Sequence, residues 1–184
     1  MSMPDFSVKR LLAVMTRIPM LGMGWSSVAQ DAPSPGLGQA ISEAQLQEFD
    51  LVAPPGGSGF PEGSGTAAEG RSLFNQRCAA CHGSEGQGTS GNTVLVGGSM
   101  QSEGTPLRTV GSYWPHASTL FDYIRRAMPA DAPKSLNNSE VYQLTAYLLF
   151  LNGIIGEQES LDRARLLTVT MPNADGFIDQ SHLH

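Results

Sequence analysis

The residues best equipped for chemistry are Cys78-Ala79-Ala80-Cys81-His82, and these cysteines are the only two in the 184-residue chain. Their Cys-x-x-Cys-His spacing is the attachment signature of a covalently bound haem. On a helical turn, positions i and i+3 share a face, so both thiols reach the two vinyl groups of one porphyrin edge. His82 then offers an imidazole nitrogen to the iron. A structural disulfide leaves the adjacent His82 unexplained. A zinc site needs about four ligands, and His116, His182 and His184 form no second ligand pair with zinc-finger spacing. A thioredoxin-like redox pair expects a βαβ context, whereas the pattern around the motif is helical.

An electron-transfer haem also needs a second axial ligand. Beyond the N-terminal region the methionines are Met100, Met128 and Met171. Met100 follows His82 on a short tether, and Met171 lies past the last predicted helix. Met128 stands where a helix ends at Pro129, so a loop there can turn its thioether toward the far side of the ring. Thioether ligation suits electron transfer and raises the potential, and Met128 is therefore the expected ligand, with His116 its main rival. Tyr113 and Trp114 are expected to pack on the porphyrin or bond a propionate. Arg108, Arg125 and Arg126 are candidates for pairing with propionates, and at least one of Arg125 and Arg126 is expected to be solvated.

Helices must position these groups. Thr66-x-x-Glu69 reads as a capping box, opening a helix through Leu73, Phe74 and Arg77 into Cys78. Gly70 within it costs roughly 1 kcal/mol relative to Ala and predicts a close helix crossing. A glycine-rich loop, GSEGQGTSGNTVLVGG, follows the motif. It lacks the Gly-Lys-Ser/Thr ending of a phosphate loop and reads as a haem-edge loop, with Thr93 to Val96 as apolar cover. Ser118 is the predicted N-cap of a second helix, which places Leu120, Ile124 and Met128 on one face. Asn137-x-x-Glu140 caps a third, with Val141, Leu144, Leu148, Leu149 and Leu151 as its apolar stripe and Asn152-Gly153 as its stop. The reading is all-α, with three main helices.

Around that domain, expected over 66–156, the chain is irregular. Residues 1–29 resemble a secretory signal: Lys9 and Arg10 precede an apolar run, and Ser-Val-Ala before Gln30 offers a cleavage site. Arg17 leaves the run too broken for a transmembrane helix, so no integral membrane segment is expected. Residues 30–65 read as an arm with a short helix capped by Ser42-x-x-Gln45, and 157–184 as a polar tail. The net charge of −6 argues against nucleic-acid binding and is compatible with steering toward basic patches on redox partners.

CAACHGSEGQG, LVGG, TVGSYWPHASTLFDYIRRAMP and LNNSEVYQLTAYLLFLNGII together resemble the class I c-type cytochromes. More narrowly, they resemble the cytochrome subunits of molybdenum-containing sulfite or sulfane dehydrogenases, including the cytochrome subunit of the Sox thiosulfate-oxidising system. LGQAISEAQLQEFD, GSGTAAEG and MPNADGF extend the resemblance over roughly residues 36–178. It implies a class I cytochrome c fold carrying haem c, with thioethers at Cys78 and Cys81 and iron ligands His82 and Met128. The larger Sox cytochrome has a second haem domain, and this chain has a single Cys-x-x-Cys-His, which suggests a one-haem relative. An aromatic residue is usual in that family where His116 stands. The implied role is periplasmic electron transfer from a molybdopterin dehydrogenase subunit to another cytochrome or an oxidase. The alternatives are a free-standing shuttle with several partners, or an open-site haem enzyme or gas sensor.

Overall fold

The computed structural model of the chain describes residues 38–49, 51–101 and 103–178. The signal expected over 1–29 lies outside them, as do His182 and His184. In chain order the elements are α1 (Glu43–Phe49), β1 (Ser64–Gly65), α2 (Ala67–Arg77), α3 (Ala79–His82), α4 (Val110–Tyr113), α5 (Ala117–Ala127), α6 (Asn138–Leu151), β2 (Leu161–Asp162) and α7 (Arg163–Leu167). The fold is all-α apart from β1 and β2, an antiparallel pair that sets Ser64 opposite Asp162 and Gly65 opposite Leu161.

Among the described residues five helices, α1, α2, α4, α6 and α7, start where side chains supply the missing acceptors. Gln45 N–H donates to Ser42 Oγ at 3.3 Å, and Ser42 N–H donates back to Gln45 Oε1 at 2.9 Å. Thr66 with Glu69 and Asn137 with Glu140 close the same reciprocal box at α2 and α6. Removing such a cap costs about 1 kcal/mol. Asn137→Ala is therefore expected to lower the unfolding free energy by that amount, read by urea titration as a lower midpoint with the denaturant slope unchanged.

Helix α5 departs from the sequence expectation. Its N-cap is His116, with no side-chain cap bond, and Ser118 falls inside the first turn as a buried residue. The cause is tertiary: an isolated bridge to Thr170 of the tail holds His116 in extended backbone. The helix thus begins at Ala117.

The core is built on α6, which buries Val141, Tyr142, Leu144, Thr145, Ala146, Tyr147, Leu148 and Leu149. That is wider than the predicted stripe, because elements cover α6 on several sides. Helix α2 crosses it at Gly70, with Phe74 meeting Tyr147 at 5.3 Å between ring centroids. Phe121 of α5 meets Tyr142 at 4.5 Å and Phe60 of the arm at 5.1 Å. Each such ring buried contributes on the order of 2 kcal/mol. Tyr142 keeps its hydroxyl satisfied by donating to the Pro61 carbonyl at 3.0 Å, and Thr145 Oγ1 donates to the Val141 carbonyl at 2.7 Å.

The flanks are part of this packing. In the arm, Ala53 N–H donates to Asp122 Oδ1 at 2.8 Å. Arg125 Nη1 donates to the carbonyls of Leu51 and Gly59 at 3.1 and 3.0 Å. The tail, polar by composition, buries Leu161, Leu166 and Met171. Among the described residues no helix is long and apolar enough to cross a membrane.

Candidate haem site

Cys78 ends α2, its N–H donating to the Phe74 carbonyl at 2.8 Å. Its backbone, at φ −126° and ψ −34°, breaks the helix axis, and the chain restarts as the single turn α3. Cys81 and His82 N–H both return to the Cys78 carbonyl, at 3.1 and 2.9 Å. Gly83, at φ 76°, ends the turn in a conformation open to glycine. The motif is thus one short turn with a thiol at each end. Neither thiol is in a disulfide; Cys78 is half-buried and Cys81 exposed. Burial pushes the Cys78 thiol up to about 11, against the opposing pull of the Arg77 charge. It therefore stays a neutral thiol at neutral pH.

The His82 ring sits 2.9 Å through Nδ1 from the Thr93 carbonyl. A carbonyl only accepts, so Nδ1 carries the proton and Nε2 is left with a free lone pair. That tautomer is the one a metal ligand requires, and the carbonyl bond orients the ring. Residue type and spacing pointed to His82, but not to Thr93, because a backbone carbonyl leaves no signature in sequence.

The loop after the motif folds back onto this turn. Gly88 N–H donates to the His82 carbonyl at 2.7 Å, and Leu95 N–H to the Gly86 carbonyl at 2.8 Å. Thr89 Oγ1 donates to the Cys81 carbonyl at 2.7 Å. Gly86 has φ 68°, and a Cβ there would lie 2.7 Å from a Val96 methyl. Val94, Leu95 and Val96 are half-buried, an apolar stretch of the kind a porphyrin covers. Two free thiols on one turn, a histidine of ligand tautomer and this apolar stretch fit a covalent haem.

The methionines separate by burial. Met171 is 2 % exposed, sealed in the core. Met100 is exposed. Met128 caps the C-terminus of α5, its N–H on the Ile124 carbonyl at 3.1 Å, and is half-buried against the core. His116 is exposed.

The other candidates make a second set of contacts. The Arg108 guanidinium lies 5.0 Å from the Tyr113 ring centroid, and Tyr113 meets Phe177 of the tail edge-on at 5.2 Å. Trp114 stands edge-on to Tyr123 at 5.6 Å. Arg126 is exposed, as expected for at least one of Arg125 and Arg126, yet both arginines have protein partners. Arg125 ties down the arm, and Arg126 pairs with Asp122. The reason is the i, i+4 reach from Asp122 to Arg126 and the arm carbonyls lying over α5.

Residues 65–148 match the family described as cytochrome C oxidase, cbb3-type, subunit III. A chain of the crystal structure of the sulfane dehydrogenase SoxCD from Paracoccus pantotrophus is 36% identical, with a TM-score of 0.74 over 81% of this chain and 74% of that one. This chain is a class I c-type cytochrome. The cytochrome is also 34% identical over 92 residues to the cbb3-type cytochrome c oxidase subunit CcoP of Azospirillum sp. (strain B510), covering 47% of this chain and 31% of that one. With the thiosulfate dehydrogenase of Stutzerimonas stutzeri (strain A1501) it shares 26% identity over 88 residues, 48% of this chain and 28% of that one. It spans less than a third of the length of these two curated relatives. As a member of this family the cytochrome is an electron-transfer domain for haem c.

Proposed function

We propose that the cytochrome is a periplasmic, single-haem electron carrier. Cys78 and Cys81 would form the thioethers, and His82 and Met128 would ligate the iron. It accepts electrons from a molybdenum-containing sulfite or sulfane dehydrogenase-type subunit and passes them to another cytochrome or an oxidase. Tyr113, Trp114 and Arg108 are proposed to border the cofactor. Residues 1–29 are proposed to direct export, 30–65 and 157–184 to flank the haem domain at 66–156. When bound, the haem supplies reversible one-electron chemistry.

The observation that supports the site is the Thr93–His82 bond, which leaves Nε2 as a ready ligand beside two free thiols. The partner rests on the similarity to a chain of SoxCD, which extends over 81% of this chain and so well outside the haem-binding segment. In this reading the protein residues act by placement. Thr93 holds the imidazole, Met128 would supply the second iron ligand, and Val94 to Val96 would give the haem apolar cover. No side chain is asked to act as acid, base or nucleophile. The acidic balance of the chain favours encounter with basic partner surfaces.

Reduction by sulfite or thiosulfate only when a co-purified molybdopterin dehydrogenase is present is the expected result. Failure to co-purify with such a subunit, together with no reduction in its presence, removes the partner assignment. Met128 has its own test. The reduced wild type is expected to bind carbon monoxide slowly or not at all, and Met128→Ala to bind it fast and to show a lower reduction potential. Fast binding by the wild type would make the protein an open-site haem instead.

A further inference from the structure

Asn152 does more than end α6. Its backbone N–H closes on the Leu148 carbonyl at 3.3 Å, and its side-chain Nδ2 donates to the same carbonyl at 2.8 Å. Nδ2 also donates to the Leu95 carbonyl at 3.2 Å, while Oδ1 accepts from Gly97 N–H at 3.2 Å. One amide thus grips the loop on both sides of Val96. Thr93, whose carbonyl holds His82, is two residues upstream on the same segment.

The segment has further fastenings. Leu95 N–H donates to the Gly86 carbonyl, and the Leu95 carbonyl accepts from Val110 N–H at 3.2 Å. Thr109 Oγ1 donates to the Gly97 carbonyl. The Asn152 amide ties this loop to the longest helix of the core. Close approach is permitted by Gly111 of α4, where a Cβ would stand 2.6 Å from Asn152 Oδ1.

We propose that Asn152 is a positioning residue for His82: by clamping Leu95 and Gly97 to the end of α6, it holds the Thr93 carbonyl on His82 Nδ1. The proposal rests on His82 being the iron ligand. A hydrogen bond from Nδ1–H raises the basicity of the ligating nitrogen, and a more basic ligand favours the ferric state. Loosening the Thr93 carbonyl therefore weakens that donation and raises the reduction potential. A helix stop alone has no such consequence.

The test uses the purified holoprotein and three variants. Asn152→Ala removes the clamp. Gly111→Ala displaces the Asn152 amide without changing its donors. Asn137→Ala weakens the other end of α6 as a control for lost stability. The readouts are the reduction potential, the melting temperature, and the exchange rate of the His82 Nδ1 proton in the reduced protein by NMR. Asn152→Ala and Gly111→Ala are expected to raise the potential and to speed exchange on the order of tenfold, the effect of losing one hydrogen bond. Asn137→Ala is expected to lower the melting temperature and leave the other two readouts unchanged. Lower melting in the first two variants, with potential and exchange at wild-type values, overturns the proposal and leaves Asn152 a helix stop. Should Asn152→Ala fail to mature, Gly111→Ala decides by the same criteria. A wild type without covalent haem overturns the haem reading itself; haem present with an unmoved potential overturns only this proposal.

Discussion

Gly70→Ala is expected to destabilise the protein by about 3 kcal/mol or more. In an isolated helix the same change would gain roughly 1 kcal/mol, so the sign of the effect is the informative part. A Cβ at residue 70 would run into the Gln143 carbonyl oxygen and lie 2.7 Å from the Gln143 carbonyl carbon and 2.9 Å from Tyr147 Cβ. The first two are backbone atoms of α6 and have no rotamer by which to yield. The helices must separate instead, and the Phe74–Tyr147 contact lies along the same crossing. Cys78 ends α2 just beyond it, so the displacement also reaches the turn that carries the thiols. Chemical denaturation of wild type and variant measures the loss. An unchanged or raised midpoint would mean that α2 and α6 do not cross this closely.

The second large effect belongs to the thiols. Cys78→Ala combined with Cys81→Ala is expected to abolish covalent haem completely, as read by haem staining after denaturing electrophoresis. Each single variant is expected to keep a reduced, one-thioether fraction, because the other sulfur and His82 still hold the cofactor. The single turn α3 is what makes the pair act together: Cys81 and His82 N–H share the Cys78 carbonyl, so sulfurs and imidazole move as one unit. Neither thiol has a disulfide partner to lose. The core residues Phe74, Tyr147 and Leu149 are not altered, and the circular-dichroism helix signal of the double variant is expected to persist in part. Covalent haem in the double variant would remove Cys78 and Cys81 from the site.

The elements most legible in the sequence are those decided within one turn of chain. Thr66 with Glu69, Asn137 with Glu140 and Ser42 with Gln45 are three residues apart, so side-chain type alone announces the bond. Gly70 is legible for a related reason. A glycine inside a helix carries a local cost, and that cost implies something nearby that needs the space. The single turn of Cys78 to His82 has the same character, since thiol, thiol and imidazole are neighbours in sequence and on the turn.

What one segment does for another across the fold is not legible in this way. Ser118 has the chemistry of a cap, yet the bridge between His116 and Thr170 moves the helix start. Arg125 has the chemistry of a free or propionate-facing charge, yet the carbonyls of Leu51 and Gly59 claim it. The tail is polar in composition, yet Leu161, Leu166 and Met171 are spaced widely enough to hide in it while each is buried. The burial of Met171 is a property of the fold and not of its neighbours in sequence.

The helices, their caps and the residues able to hold a haem follow from residue order alone, because they depend on side-chain chemistry at separations of three or four residues. That Thr93 orients His82, and that Asn152 grips the same loop, emerges only once distant segments have packed together. Those bonds run to backbone groups, which every residue carries alike, and distance along the chain says nothing about which of them will meet.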